Sequence, residues 1–209
     1  MSVTVVDYGA GNLRSVELAL SHLGASYSVT DDPSKVRAAD SIVFPGVGDG
    51  AHAMQVLSGR GLDAALRDAF LHEVPILGIC VGCQIVLDRT EEREARCLGL
   101  VPGIARRFGN SAGLKVPHMG WNSVRHAEGH WLFADVPQEA SFYFVHSYYP
   151  APADSEVGIA WTEYGSSFAS ALELRSLVAT QFHPEKSGEV GLRVLANYLR
   201  RVGAVGAEG

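Results

Sequence analysis

The stretch at residues 75–84, PILGICVGCQ, limits the possible folds more than any other part of this chain. An apolar run enters Gly78, and Ile79, Cys80, Val81 and Gly82 follow before another apolar stretch. Two glycines flanking a nucleophilic side chain, between a strand and a helix, are the pattern of a nucleophile elbow, here with cysteine in the reactive position. The reversal crowds the backbone, so a side chain at either glycine would clash. The pattern predicts Cys80 in strained geometry at a helix N-terminus, where the dipole favours thiolate. The Val81 amide is then placed to donate to a developing oxyanion.

The first half of the chain surrounds this elbow with alternating strands and helices. Val3–Val6 is β-branched, and Leu13, Val16, Leu20 and Leu23 recur at helical spacing before Gly24 closes the segment. Residues 27–30 and 41–44 read as strands, Leu62, Leu66, Ala69 and Phe70 as one face of a helix, and 75–79 as the strand entering the elbow. Such alternation predicts parallel βαβ units. The second half carries strand-like runs at 99–108, 121–125, 141–149, 157–162 and 170–182, which predict an antiparallel or mixed extension of the same sheet. A helix over 190–199 closes the chain. With 209 residues, one α/β domain over 1–202 is expected, a three-layer sandwich with a mostly parallel central sheet extended by antiparallel strands, followed by a flexible tail at 203–209.

Charge and cysteine usage exclude several classes of function. The net charge is −6, and only Arg106–Arg107 and Arg200–Arg201 are adjacent basic pairs, so there is no basic face for nucleic acid. The most apolar stretch, 74–87, is interrupted by Pro75, Gly78, Gly82 and Gln84, and no membrane span is expected. MSVTVVDYG does not read as a signal peptide, and three cysteines do not make a disulfide framework, so a reducing cytoplasm is the expected setting. No metal site or cofactor is read from the sequence.

A thiolate nucleophile needs a proton donor for its leaving group, and a group to orient that donor. Among eight histidines, His183 stands out because His183, Pro184 and Glu185 follow an apolar strand. The loop at 44–50, FPGVGDG, offers backbone amides and lacks the Lys-Ser/Thr ending of a phosphate loop. It suits the second half of an oxyanion hole, through Val47 or Gly48. Cys80 and Cys83 also spell C-x-x-C, a possible redox pair, although the glycines favour the elbow and a core role for Cys83. Cys97 reads as an ordinary buried residue.

Taken together, DYGAGNLRSV at 7–16, PGVG at 45–48, GICVGCQ at 78–84, KVPHMGWN at 115–122, FYFVHSYY at 142–149 and QFHPEKSG at 181–188 resemble the class I glutamine amidotransferase family. Within it, DYGAGN, KVPHMGWN and the Lys186–Ser187 extension are similar to the glutaminase subunits of imidazole glycerol phosphate synthases in histidine biosynthesis. Val81 and Cys83 stand where that family commonly has Leu and Met, and Asp49 and Gly50 where it often has an aromatic residue. The resemblance implies a Cys80–His183–Glu185 triad that hydrolyses glutamine to glutamate and ammonia. It implies an oxyanion hole from Val81, Val47 and Gly48, and substrate contacts from Gly46, Gln84, His146 and Ser147.

It also implies a heterodimer with a cyclase subunit, a (β/α)₈ barrel that takes the ammonia, because free ammonia at neutral pH is mostly unreactive ammonium. Asn12, Met119, Trp121 and Lys186 lie in the motifs used at that interface, although Met119 and Trp121 also read as core. Competing readings are a cysteine-elbow hydrolase or chaperone on a similar sandwich, a binding module with a vestigial elbow, and a pyridoxal-phosphate synthase glutaminase subunit.

Overall fold

The chain's β-branched and apolar runs become the buried strands of one large sheet. The computed structural model describes residues 1–9, 12–109 and 114–206. Its first half contains β1 (Val3–Val6), α1 (Leu13–His22), β2 (Tyr27–Thr30), α2 (Pro33–Arg37), β3 (Ser41–Gly46), α3 (Gly50–Gly59), α4 (Leu62–Leu71), β4 (Ile76–Cys80) and α5 (Val81–Ile85). Its second half contains β5 (Arg89–Thr90), β6 (Gly103–Arg107), β7 (His118–His126), β8 (Ala140–His146), β9 (Tyr148–Pro152), β10 (Gly158–Glu163), β11 (Ser167–Leu174), β12 (Leu177–Thr180) and α6 (Gly188–Arg201).

Nine strands form the main sheet in the order β2-β1-β3-β4-β12-β11-β10-β7-β8. Pairing is parallel from β2 to β12 and antiparallel from β12 outward to β8. β1, β3, β4 and β12 are buried at every position, as their continuous apolar sequences require for strands covered on both faces. From β1 the chain steps one way to β2, and from β3 it steps the other way to β4. With right-handed crossovers this puts α1 on one face and α3 and α4 on the opposite one. α6 joins α1 beside the turn Pro184–Lys186.

The expected sandwich is observed, with local corrections. The runs 99–108 and 141–149 do not simply extend the main sheet. β6 pairs with β5 on one side and β9 on the other in a separate three-stranded sheet, and the second run breaks at Ser147 between β8 and β9. The run 170–182 is a hairpin, reversing through Arg175 at φ 56 without the glycine or asparagine that would have announced a turn. α2 and α3 add two helices, begun by Asp32 and Asp49, whose carboxylates accept from the amides of Ser34 and His52. At the end read as a loose tail, Ala204 is buried and the Gly203 carbonyl accepts from the Met1 ammonium at 3.0 Å. Residues 207–209 lie outside the described residues, as do Ala10 and Gly11 of the DYGAGN turn.

Parallel strands β3, β4 and β12 all deliver their carboxyl ends to one edge, where open α/β sheets place their ligands. Gly46, Cys80 and the segment leading to His183 meet there.

Candidate active site

Cys80 ends β4 with φ 56 and ψ −105, a conformation that costs a non-glycine residue about 1–3 kcal/mol. Two glycines make this turn possible. A Cβ on Gly82 would sit 2.2 Å from the Phe44 carbonyl oxygen, and one on Gly46 would sit 2.2 Å from the Tyr8 hydroxyl and 2.9 Å from Val81 Cβ. At Gly78, the other glycine of the elbow, the nearest atoms are 3.2 Å away. The strict requirement therefore falls on Gly82 and on Gly46 of the neighbouring strand, which pairs with Cys80. The helix after Cys80 is short, Val81–Ile85, and its residues are all buried.

His183 is carried by the turn that follows β12. Its amide donates to the Tyr143 carbonyl at 3.0 Å, and its own carbonyl accepts from Ser187 Oγ at 2.6 Å. Ser187 Oγ in turn accepts from the Tyr143 amide, so the turn is tied to β8. The Glu185 carboxylate, with no exposed side-chain surface, accepts from His183 Nδ1 at 2.7 Å through Oε1. The same Oε1 accepts from Asn12 Nδ2. With Nδ1 committed to Glu185, the buried Nε2 has no hydrogen-bond partner and is left to the Cys80 side chain. Burial alone would lower the pKa of this imidazole. The Cys80 sulfur and then Glu185 outweigh it and raise the value to about 10, so the protonated ring is favoured beside a thiolate.

A cavity of about 240 Å³ opens over Cys80, lined by Val47, Gly48, Val81, Gln84, His146 and Ser147 among others. The structure thus brings together most of the residues singled out from sequence. Gly46 stands behind this wall as a packing position. Gln84 is buried, and its Nε2 donates to the Tyr148 carbonyl at 2.8 Å and to Gln181 Oε1 at 3.0 Å. His146 Nδ1 also donates to the Tyr148 carbonyl, while its Nε2 accepts from His118 Nδ1 at 3.0 Å. Burial lowers the pKa of His146 to about 3 and that of His118 to about 4, which makes this part of the wall neutral.

Sequence reading missed Glu92 and Tyr148 in this cavity. Glu92 lies in the charged run 91–94, which looks like solvated surface. Its carboxylate instead accepts from the Gly50 amide at 2.6 Å, and burial raises its pKa. Cys83 is a free, buried thiol whose pKa burial pushes well above the usual range; at Cys97 burial pushes it up to about 12. Neither is suited to thiolate chemistry.

The four residues read as interface separate into two kinds. Met119 and Trp121 are 64% and 59% exposed on β7, which overturns their reading as core, and Lys186 is also exposed. The Trp121 ring meets Tyr143 edge to face at 6.1 Å between centroids. Asn12 is partly buried and holds Glu185. Among the described residues no group of His, Cys, Asp and Glu is placed to hold a metal ion, and no helix is long and apolar enough to cross a membrane.

The glutamine amidotransferase class-I family matches residues 4–202. The imidazole glycerol phosphate synthase subunit HisH of Moorella thermoacetica is 46% identical over 208 residues, 99% of this chain and 98% of that one. Its counterpart from Dehalococcoides mccartyi is 42% identical over 95% of this chain and 96% of that one. Among solved structures, PurLQS from Thermotoga maritima shares the fold at a TM-score of 0.73 and 21% identity, over 96% of this chain and 98% of that one. The Trypanosoma brucei CTPS glutaminase domain with bound acivicin does so at 0.67 and 18%, over 96% and 94%. This chain belongs to the class-I glutamine amidotransferase family, within its group of HisH subunits.

Proposed function

We propose that this chain hydrolyses glutamine as the glutaminase subunit of an imidazole glycerol phosphate synthase, with Cys80 as nucleophile. The observation that carries the reading is the buried Cys80–His183–Glu185 array at a cavity sized for a small polar substrate. In the first step the Cys80 thiolate adds to the side-chain amide carbon. The Val81 amide, with that of Val47 or Gly48, stabilises the resulting oxyanion. Nε2–H of the His183 imidazolium protonates the departing nitrogen, and ammonia leaves behind a thioester. Neutral His183 then takes a proton from water as its oxygen attacks. The second tetrahedral intermediate collapses to glutamate and the Cys80 thiolate. Glu185 holds the imidazole ring throughout, and Glu92, Gln84, His146 and Ser147 bind the substrate, with Glu92 as acceptor for its α-ammonium.

The ammonia passes to a cyclase subunit, a (β/α)₈ barrel, docked as a heterodimer over Asn12, Met119, Trp121 and Lys186. There it enters imidazole glycerol phosphate, with aminoimidazole carboxamide ribotide as second product. Exposed Met119 and Trp121 support this surface. The domain runs over 1–202, and the setting is cytoplasmic.

The test is glutamate release from glutamine by wild type and Cys80→Ala, alone and with a histidine-pathway cyclase plus its ribotide ligand. Activity is expected only with Cys80 present, and rises when the liganded cyclase is added. Turnover that survives Cys80→Ala overturns the nucleophile, and equal turnover with and without the cyclase overturns the partner's role.

A further inference from the structure

Gln181 belongs to a motif that reads as catalytic, yet the steps above give it no task. It is fully buried between β12 and His183, and its backbone amide donates to the Ser170 carbonyl at 2.8 Å. The orientation of its side chain follows from its neighbours. The Tyr148 carbonyl can only accept, so the end of Gln84 that reaches it is the NH₂ group. The same NH₂ group faces Gln181, so Gln181 must present its oxygen there. Its own NH₂ group is thereby directed onto Cys80 Sγ, at 3.8 Å. Reversing Gln181 would set two buried donors against each other, and reversing Gln84 would set its oxygen against the Tyr148 carbonyl and the Gln181 oxygen.

We infer that Gln181 is a positioning residue for the nucleophile, its amide held by Gln84 so that it donates to the Cys80 sulfur and favours thiolate over thiol. This deepens the reading of Cys80 as nucleophile and rests on it. A hydrogen bond to an ionised acceptor is about twice as strong as one to its neutral form, so the bond discriminates between the two protonation states. It also joins the wall of the substrate cavity to the reacting atom, because Gln84 lines the cavity and orients the donor.

The test is alkylation of the full chain by iodoacetamide across a pH series, followed at Cys80 by mass spectrometry, for wild type, Gln181→Met and Gln181→Leu. Both substitutions keep the volume apolar and remove the donor. Loss of the bond should raise the pH midpoint by about one unit, an approximately tenfold slower reaction at pH below it, with the high-pH plateau unchanged. A lower plateau with an unmoved midpoint overturns the proposal, because a purely structural role predicts that result.

A second measurement needs no altered Gln181. The side-chain amides of the four glutamines can be followed by NMR. The Gln181 protons should titrate with Cys80 in the wild type and cease to do so in Cys80→Ala. An amide signal indifferent to Cys80 overturns the proposal even if the Met and Leu variants do not fold. If iodoacetamide leaves wild-type Cys80 untouched, the nucleophile reading falls and this proposal with it; reaction with an unmoved midpoint removes the Gln181 role alone.

Discussion

Asn12 and Glu185, 173 residues apart, are joined by a hydrogen bond from Asn12 Nδ2 to the same Glu185 oxygen that holds His183. Asn12 occupies the left-handed region at φ 62 just before α1, so the start of that helix is coupled to the orientation of the imidazole. Hydrogen bonds to charged groups contribute about 1.5–3 kcal/mol. Asn12→Ala should therefore lower glutaminase kcat by about tenfold or more while leaving KM for glutamine nearly unchanged. Steady-state kinetics check this. A change confined to KM would place Asn12 outside the triad's support.

The elbow gives a stability prediction. Gly82→Ala would drive a methyl group against the Phe44 carbonyl at 2.2 Å, and β3 lies in the middle of the parallel sheet with little freedom to retreat. Overpacking of this kind costs about 1–3 kcal/mol or more. A lower midpoint of thermal unfolding is expected, accompanied by loss of glutaminase activity as Cys80 is displaced. Gly78→Ala, with 3.2 Å of clearance, should cost less.

Most of this site was legible because the elbow and the His183–Glu185 pair are short local patterns with a steric or proton-transfer rationale. What was not legible depends on long-range pairing. Nothing local in the sequence relates Glu92 to the Gly50 amide, and a run rich in Glu and Arg reads as surface. Arg175 turns a hairpin in a conformation that its sequence does not advertise. Alternation along β7 does show two faces. Which one is covered depends on its place near the sheet edge, and only there do Met119 and Trp121 emerge as the exposed face.

The titration of His183 should depend on the Cys80 sulfur beside it. The Cys80 charge is the largest influence raising the imidazole's pKa against the effect of burial. Cys80→Ala should therefore move the His183 titration downward from about 10, as followed by NMR of the ring protons. A value raised on folding stabilises the protein fully below the unfolded value near 6.5, and that contribution is lost as pH rises through about 10. The wild type should lose this increment at alkaline pH. In Cys80→Ala it should be smaller and disappear at lower pH. A His183 titration unaffected by the substitution would contradict the pairing.

His118 and His146 predict the opposite dependence. Both are buried, and their mutual bond at 3.0 Å uses one donor and one acceptor, so the ring that accepts must be neutral. The direction is set by the Tyr148 carbonyl at one end and the Asn122 side-chain amide, 3.2 Å from His118 Nε2, at the other. Their folded values, about 4 and about 3, lie below the ordinary 6.5, so the unfolded chain binds more protons as the pH falls. Their stabilisation is complete above about 6.5 and is lost as the pH falls toward 4. Each histidine contributes a slope of up to about 1.4 kcal/mol per pH unit within that window. His118→Gln removes one titrating ring while keeping a donor and an acceptor on its side chain. Urea unfolding between pH 7 and 4.5 should give a shallower decline for His118→Gln than for the wild type, by close to one proton. Parallel declines would mean that His118 is already protonated in the folded protein, and the neutral relay along this wall would have to be abandoned.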